Sequence, residues 1–187
     1  AQHLPVENTF VMTSNVDAMF ERNGFDPKRI YTPQGDYALL QCTTPCTQQT
    51  WPWKDQIDKI RAATNPKTQA LEDKSLIPRC PNCGGTVFPN VRVDNSFIHQ
   101  HFDDDAKNLQ NWLEQSKHKK GLIIEIGAGF NTPSVIRWPD EAIITKNPSW
   151  KLLRINMSDA LVPDTLQSRA LGVQGDANQI ITELLSN

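Results

Sequence analysis

The sequence lacks a long apolar run, a strong excess of charge of either sign, an internal repeat and a low-complexity tract. The run Leu122-Ile123-Ile124 ends at Glu125, far short of the roughly 18 apolar residues that a membrane helix requires. With 19 Lys and Arg against 21 Asp and Glu, the net charge is −2, which argues against a strongly basic nucleic-acid binder. The opening segment, AQHLPVENTF, has neither a cationic start nor an apolar stretch, so we expect no signal peptide. These absences predict a cytoplasmic protein with no membrane or nucleic-acid partner.

The composition is that of a folded domain. Hydrophobic residues make up 38% of the 187 residues, which is enough for a core and excludes a fully disordered chain. A chain of this length is usually one domain, here with room for a small insert.

The four cysteines fall into two close pairs, Cys42/Cys46 and Cys80/Cys83, with 33 residues between the pairs. Two short spacings across a long gap favour a zinc site over a disulfide framework. Each short loop can present two thiolates to one Zn²⁺, and the two loops together complete a four-sulfur site. Pro45 stiffens the first loop, and Gly84-Gly85 lets the backbone turn after the second. Two local disulfides or free thiols are the alternatives.

Hydrophobic patterning predicts an α/β fold with a parallel sheet and an inserted zinc module. Residues 43–79 show little apolar periodicity beyond one short helix containing Ile57, Ile60 and Ala63, so zinc rather than a core would hold them. We therefore predict a nucleotide-binding domain over 1–36 and 86–187 and a zinc-binding insert over 37–85. The predicted strands are 9–13, 29–32, 86–93, 121–127, 151–156 and 172–174. The predicted helices are 17–23, 103–120, a short helix from Pro133 and a last helix capped by Asp176. The last helix has a predicted buried face made of Ile180, Ile181, Leu184 and Leu185.

Small or polar residues follow four of these strands. Ligands of open α/β sheets bind at the carboxyl ends of the strands, where glycines admit phosphates, helix N-termini offer N–H groups and Asn side chains can hold ribose hydroxyls. The placement predicts a nucleotide-binding edge. Its residues are Ser14, Asn15 and Asp17; Gly127, Ala128, Gly129, Asn131 and Thr132; Asn156, Ser158 and Asp159; and Gly175, Asp176 and Ala177.

The ordered motifs resemble those of sirtuins, Rossmann-type NAD-consuming proteins with an inserted zinc module. T-S-N-V-D (13–17) is similar to the family's T-Q-N-I-D, and Gln34-Gly35 stands where the family has His-Gly. The two cysteine pairs follow, and then Pro89-Asn90-Val91 resembles the R-P-x-V segment. Gly127-Ala128-Gly129 takes the place of G-T-S, Leu153 to Asn156 matches the hydrophobic strand ending in Asn, and Gly175-Asp176-Ala177 matches G-D-A.

The resemblance implies roles for individual residues. Asn15 would hold the nicotinamide ribose or a site water, and Asp17 would meet the nicotinamide carboxamide. Gly127 and Gly129 would line the phosphates, and Ser14, Ala128 and Asn131 would also bind the cofactor. Asn156 would hold the adenine ribose, and Asp176 with Ala177 would contact the adenine through the backbone. The family's opening strand, its G-A-G-x-S phosphate loop and its small helical module have no counterpart before Ala1, so this chain would carry only part of the NAD site.

Two departures point to one branch of the family. Gln34 replaces the His that acts as general base in sirtuin deacylases, and an amide cannot take up a proton near neutral pH. Arg92-Val93-Asp94-Asn95 replaces the segment that binds an acyl-lysine. Both features resemble the macrodomain-linked sirtuins of microbes, often called class M, which act as protein ADP-ribosyltransferases. In that reading Gln34 positions a ribose hydroxyl and Arg92 binds a carboxylate-bearing acceptor.

The resemblance thus implies an enzyme that transfers ADP-ribose from NAD to a protein, with a lipoyl-carrier protein as acceptor and a macrodomain hydrolase as the reversing partner. An NAD-dependent deacylase and an NAD glycohydrolase, in which water is the acceptor, are alternatives. A third is a catalytically inactive module that binds a nucleotide or a partner protein. A surface ion pair is the alternative role for Arg92, and a turn with a helix cap is the alternative for Asn15 and Asp17.

Overall fold

The computed structural model describes residues 6–186, so residues 1–5 of the opening segment lie outside it. The chain divides into two compact units. The cysteine unit comprises Asn15–Ala106, and the parallel-sheet unit comprises the described residues up to Ser14 and those from Lys107 onward. The functional boundaries expected at 36/37 and 85/86 remain a prediction.

The cysteine unit contains an antiparallel three-stranded sheet. Its central strand is β3 (Gly35–Cys42), flanked by β4 (Trp51–Pro52) and β5 (Val87–Val91), in the order β4-β3-β5. Pro89 therefore lies in an edge strand, as its missing N–H requires. The buried apolar residues of this unit are Ile30, Leu40, Cys42, Cys80, Phe97, Ile98 and Phe102.

The remaining elements of this unit are short. They are α1 (Met19–Arg22), β2 (Ile30–Tyr31) and α2 (Lys54–Ala62), and helix α3 (Asp103–Ser116) begins here. Helix α2 coincides with the short helix that the spacing of Ile57 and Ile60 predicts. Helix α3 ends at Ser116, four residues before the predicted end, because the basic run after it forms a turn: the Lys119 N–H donates to the Ser116 carbonyl at 2.9 Å.

The parallel-sheet unit confirms the predicted α/β class. Strands β6 (Gly121–Ile126), β7 (Trp150–Asn156) and β8 (Ala170–Gln174) are parallel and lie in the order β6-β7-β8. Helix α4 (Arg137–Lys146) connects the first two strands, and α5 (Ala177–Ser186) follows the third. Strand β1 (Val11–Met12) also belongs to this unit.

The core of this unit lies on one face of the sheet. Ile144, Trp150, Leu152 and Leu166 are buried together, and Trp112 of α3 packs edge-on against Trp150 with ring centroids 5.9 Å apart. The apolar run of β6 is typical of a buried strand, but the structure buries only one face of it. Leu122, Ile124 and Ile126 point to the other face and are exposed, because successive side chains of a strand alternate between faces.

Two helix predictions also differ from the structure. The helix expected from Pro133 begins at Arg137, because residues 133–136 form a wide turn that the Trp138 N–H closes onto the Pro133 carbonyl at 2.9 Å. The stripe of α5 is only partly buried, since Leu184 and Leu185 are exposed. The Asp176 cap is confirmed: its Oδ1 accepts from the Gln179 N–H at 2.9 Å.

Candidate functional site

All four cysteines have free thiols, and their sulfur atoms lie within 4.8 Å of one another. Cys42 Sγ and Cys83 Sγ are 3.7 Å apart, and Cys46 Sγ and Cys80 Sγ are 3.6 Å apart. Four sulfurs around Zn²⁺ at about 2.3 Å form a tetrahedron with edges of about 3.8 Å. The cluster is therefore compatible with zinc, and the alternative of two local disulfides is not observed.

N–H groups of the second cysteine loop, from both the backbone and a side chain, point at the sulfurs. The Gly85 N–H donates to Cys83 Sγ at 3.4 Å, and the Asn82 side chain donates to Cys46 Sγ at 3.2 Å. Desolvation opposes ionisation of Cys80, but N–H groups of Cys83 and Asn82, with the thiols of Cys46 and Cys83, outweigh it and lower the pKa of the Cys80 thiol to about 7. The Gly85 N–H lowers the pKa of Cys83, but hydrogen bonds with the other three thiols outweigh it and raise that pKa to about 12. Donors that stabilise thiolates are what a metal-binding loop needs, because the thiolate is the form that ligates a metal.

Gln34 and Arg92, two of the residues predicted to be catalytic, are neighbours. The Arg92 N–H donates to the Gln34 carbonyl at 2.9 Å, directly beyond the pairing of Gly35 with Val91. Gly35 makes this approach possible: its φ is +103°, and a Cβ there would lie 2.0 Å from the Asn90 carbonyl oxygen. The Gln34 side chain is half-buried and Arg92 is exposed.

A buried polar pair fixes the loop that supports Arg92. The Asn90 amide donates to Gln41 Oε1 at 2.7 Å and to the Ile98 carbonyl at 3.0 Å. These bonds hold the segment that carries Phe97, and the Arg92 guanidinium lies 4.4 Å from the centroid of the Phe97 ring. Arg92 Nε also donates to the Pro33 carbonyl at 3.4 Å. Within residues 6–186 Arg92 forms no ion pair, so its alternative role as a surface salt-bridge residue is not observed.

Asn15 and Asp17 flank Val16, whose carbonyl accepts from the Tyr37 N–H at 3.0 Å. Both side chains are exposed, and Asp17 Oδ1 accepts from the Met19 N–H at 3.2 Å. Asp17 therefore serves the turn that opens α1, and the backbone bond connects this turn to the segment that follows Gln34.

In the parallel-sheet unit, Asn156 organises the carboxyl edge of the sheet. Its Nδ2 donates to the Ala128 carbonyl at 3.0 Å, and its Oδ1 accepts from the Ser158 and Asp159 N–H groups, both at 3.1 Å. An Asn side chain has two donor protons and two acceptor lone pairs, so one Nδ2 proton is left by these bonds. Asn156 thereby holds the Gly127–Gly129 turn to the loop after its own strand.

Backbone bonds bring the third strand end to the same edge. The Gly127 N–H donates to the Ile155 carbonyl at 2.9 Å, and the Gly175 N–H donates to the Asn156 carbonyl at 3.0 Å. Gly127 has a φ of +72°, which a residue with a Cβ rarely adopts. Asp176 and the first residue of α5, Ala177, follow directly. Asn131 and Asp176 are exposed, as is Ser14, the last residue in the amino-terminal part of this unit.

Sequence patterns missed a buried charged network beneath this edge. Arg154 is fully buried and pairs with Glu125 at 2.6 Å and with Glu141 at 2.9 Å. Arg137, which is 2% exposed, lies 3.9 Å from Glu141. Asp140 is also buried, and desolvation followed by the neighbouring Glu125 charge raises its pKa to about 8. Glu125 and Arg154 carry opposite charges within the apolar stretches I-I-E-I and L-L-R-I, which is a sequence signal for buried charge, but only the register of the two strands pairs them.

No helix of residues 6–186 has the length and apolar character needed to cross a membrane. Four thiols in one unit, and a strand-end edge with glycine turns and helix N-termini in the other, can respectively hold a metal ion and approach a phosphate-bearing ligand.

No protein family model matches the sequence. Two curated proteins are similar to nearly all of it. One, from Fusarium oxysporum f. sp. cubense, is named a probable bifunctional ADP-ribose hydrolase/ADP-ribosyltransferase and is 34% identical over 186 residues, which are 96% of this chain and 31% of that protein. The other, from Staphylococcus aureus, is named a protein ADP-ribosyltransferase and is 28% identical over 183 residues, which are 95% of this chain and 56% of that protein. This chain is therefore homologous to one part of proteins named as ADP-ribosyltransferases, and it spans about a third to a half of their length.

Proposed function

We propose that the chain is the sirtuin-like part of a protein ADP-ribosyltransferase that takes ADP-ribose from NAD and releases nicotinamide. The observation that carries the proposal is the similarity of at least 95% of the chain to two proteins with that activity in their names. The order of the motifs along the chain, from T-S-N-V-D to Gly175-Asp176-Ala177, favours the sirtuin type. We propose a Rossmann-like arrangement for the complete nucleotide-binding domain.

The carboxyl edge of the parallel sheet is our proposed site for the adenosine and phosphate groups. Amides of the Gly127–Gly129 turn are suited to a phosphate because the two glycines have no side chain and Ala128 has only a methyl group. The remaining Nδ2 proton of Asn156 is suited to a ribose hydroxyl. The backbone at Asp176 and Ala177, at the start of α5, is suited to the adenine.

The proposed reaction breaks the glycosidic bond of NAD. The bond between C1′ of the ribose and the nicotinamide nitrogen breaks, and its electron pair leaves with neutral nicotinamide. A nucleophile of the acceptor protein then forms a bond to C1′ and loses its proton to solvent. Asn15 would hold the nicotinamide ribose or a site water, and Asp17 the carboxamide.

Gln34 suits transfer better than deacylation. Its amide can hold a ribose hydroxyl but cannot remove a proton from it, and a deacylase needs that proton removed. Transfer to C1′ requires no base at this position. Arg92, which lies beside Gln34 and forms no ion pair within the described residues, is available for an acceptor carboxylate.

Cys42, Cys46, Cys80 and Cys83 are our proposed ligands of one structural zinc ion. With four protein ligands a tetrahedral zinc has no open position, so it would cross-link two loops and take no part in the reaction. Cys42 ends strand β3 and Gln34 precedes the same strand, so roughly 25 Å of extended chain separates the cluster from Gln34.

The acceptor and the reversing enzyme follow from the resemblance to macrodomain-linked sirtuins. We propose a lipoylated carrier protein as acceptor and a macrodomain hydrolase as the enzyme that removes the modification. The name of the Fusarium relative supports the proposed hydrolase, since it pairs an ADP-ribose hydrolase with an ADP-ribosyltransferase.

The test is to incubate the full-length protein with NAD labelled in the adenine ring, with and without a lipoylated carrier protein. Transfer predicts label on the carrier and an equal amount of free nicotinamide. The same carrier without its lipoyl group is the matched control for acceptor specificity. Label released only as free ADP-ribose would identify a glycohydrolase, and release of acetate from an acetyl-lysine peptide without labelled protein would identify a deacylase. No consumption of NAD would contradict the proposal.

A further inference from the structure

Arg137 connects two strand-end loops through backbone carbonyl groups. Its Nη1 donates to the Ala128 carbonyl at 3.1 Å and to the Asp159 carbonyl at 2.8 Å, and its Nη2 donates to the Leu161 carbonyl at 2.7 Å. Ala128 lies in the turn after β6, and Asp159 and Leu161 lie in the loop after β7. One guanidinium therefore sets the spacing between the two loops that border the proposed nucleotide site.

The surroundings of Arg137 keep its guanidinium in one orientation. The Phe130 ring stacks on it with its centroid 4.1 Å from Cζ, and the Glu141 carboxylate lies 3.9 Å from Nε. Arg154 donates to the same Leu161 carbonyl at 2.7 Å, so both arginines hold that loop. A guanidinium that is 2% exposed and has three carbonyl partners is committed to the protein rather than to a ligand.

We propose that Arg137 is a positioning residue for nucleotide binding, an inference that rests on the proposed function. It holds the Gly127–Gly129 turn and the 159–161 loop at the separation at which turn amides and Asn156 can engage phosphate and ribose groups together. The planar fork of an arginine serves three acceptors in different directions, whereas a lysine ammonium is a single point of attachment. Arg137 needs no contact with the ligand for this role.

Arg169 provides a matched control. Its Nη1 likewise lies within hydrogen-bond distance of three backbone carbonyls, those of Ile144 at 2.5 Å, Asn147 at 3.0 Å and Trp150 at 3.5 Å, and its two protons are shared among them. Trp150 begins β7, and Arg169 immediately precedes β8, so this clamp lies at the amino ends of the parallel strands. Arg137 and Arg169 thus bind backbone carbonyls in the same way, but at opposite ends of the parallel strands.

The experiment compares Arg137→Lys and Arg169→Lys in the full-length protein. NAD-dependent transfer is measured at varied NAD, and the unfolding midpoint of each variant is measured in urea. We expect both variants to unfold at lower urea. The KM for NAD should rise about 10-fold in Arg137→Lys and less than about 2-fold in Arg169→Lys, with kcat little changed in both, which is the pattern of lost ground-state binding. Equal KM values in the two variants would overturn the proposal.

Glu141→Gln covers the case in which Arg137→Lys does not fold. It removes the carboxylate charge that lies 3.9 Å from Arg137 Nε and 2.9 Å from Arg154 Nη2, and with it one of the contacts that orient the Arg137 guanidinium toward its carbonyl partners. The KM for NAD should rise about 2- to 3-fold, and an unchanged KM would contradict a positioning role. If the unaltered protein neither binds nor consumes NAD, both the proposed function and the role of Arg137 are wrong. If the unaltered protein binds NAD and the variants bind it equally well, only the role of Arg137 is wrong.

Discussion

The Arg154 guanidinium and the Glu125 carboxylate form a two-point ion pair across adjacent strands, with Nε–Oε1 at 2.6 Å and Nη2–Oε2 at 2.9 Å. The two residues are register partners in the parallel pairing of β6 and β7, and both side chains are fully buried. Glu141 of α4 adds a third point at 2.9 Å, and the Leu161 carbonyl a fourth at 2.7 Å. A charge pair thus replaces apolar packing beneath the edge where we propose that NAD binds.

Breaking this pair from one side should destabilise the protein strongly. Arg154→Met leaves the Glu125 carboxylate buried without its partner, which typically costs about 3–5 kcal/mol. The free energy of unfolding, measured in urea, should fall by that order. The double variant Glu125→Met/Arg154→Met should lose less than the sum of the two single losses, because neither charge of the strand pair is then left buried without the other. Additive losses would mean that the pair is not coupled. Lys117→Met, which breaks the exposed pair with Glu114, serves as the control and should change stability little.

Asp140 should make stability depend on pH in the opposite sense to an ordinary paired carboxylate. Burial first, and then the Glu125 charge, raise its pKa to about 8 in the folded protein, against the ordinary value of 3.8 for an aspartate side chain. Between these values the folded state binds one proton more than the unfolded state. Stability therefore falls as pH rises, by up to about 1.4 kcal/mol per pH unit from this group. The stabilisation that comes from the proton on Asp140 is complete below about pH 4 and is lost by about pH 8.

The comparison is between the unaltered protein and Asp140→Asn, in urea at pH 5, 6, 7 and 8. Asparagine has a similar shape and does not titrate, so this component of the slope should disappear and the variant should gain on the unaltered protein as pH rises. Parallel curves for the two proteins would contradict a raised pKa at Asp140.

Local patterns predicted the strands of the parallel sheet, most of the helices and the strand-end residues, because these depend on neighbours in sequence. They did not predict β3 or β4 of the cysteine unit. Asn156, Gly127 and Asp176 were expected at the carboxyl ends of strands, and the structure brings the first two together through Ala128 and Ile155. The same reasoning could not find the Glu125–Arg154 pair, which depends on register between strands that are 23 residues apart at their nearest ends. Nor could it find Arg137, whose three acceptors lie 9, 22 and 24 residues away.

The sequence pattern also predicts more burial of helix α5 than the structure shows. A stripe of Ile180, Ile181, Leu184 and Leu185 predicts a face packed against a core, but half of it is exposed in the structure. Periodicity tells which side chains share a face and not what covers that face. Pro133 predicts a first helical turn at that position. In the structure a wide turn closes onto the Pro133 carbonyl, and α4 begins at Arg137 instead. From there the Arg137 side chain reaches the loops after β6 and β7.

Zinc removal should unfold the region that the cysteines join. The purified full-length protein should contain one zinc ion per cluster, measured by elemental analysis. Treatment with a strong chelator should lower the unfolding temperature, and added Zn²⁺ should restore it. Cys80→Ser should have the same effect as the chelator, because three sulfurs cannot close the site. A metal-free protein with an unchanged unfolding temperature, or a disulfide found by mass spectrometry, would contradict the zinc proposal.

Asn156 should be sensitive to replacement of its amide group. Asn156→Ala removes three hydrogen bonds at a buried position, and at about 0.5–1.5 kcal/mol each the free energy of unfolding should fall by about 2–4 kcal/mol. NAD affinity, measured by titration calorimetry, should fall as well. Asn156→Asp keeps both acceptor bonds but sets a carboxylate oxygen against the Ala128 carbonyl, so it should also bind NAD more weakly. Unchanged NAD affinity in both variants would exclude the proposed ribose contact.

Gln34 provides the sharpest test of transfer against deacylation. Its bond to Arg92 is between backbone groups, so Gln34→Ala removes the side-chain amide and leaves the pairing of the two segments intact. Transfer of labelled ADP-ribose should fall by about 100-fold or less, as expected for one positioning contact. Asn15→Ala should cost more, because Asn15 is proposed to lie beside the bond that breaks. Gln48→Ala, at an exposed glutamine of the same unit, is the control and should transfer normally.

Gln34→His supplies the general base that a deacylase uses, but it should not create a strong deacetylase. Arg92 remains beside position 34, and Val93-Asp94-Asn95 still differs from the segment with which sirtuins bind acyl-lysine. Release of acetate from an acetyl-lysine peptide is measured beside transfer for each variant. Robust deacetylation by the unaltered protein, without transfer to any carrier protein, would place the chain with deacylating sirtuins and would leave the glutamine at position 34 unexplained.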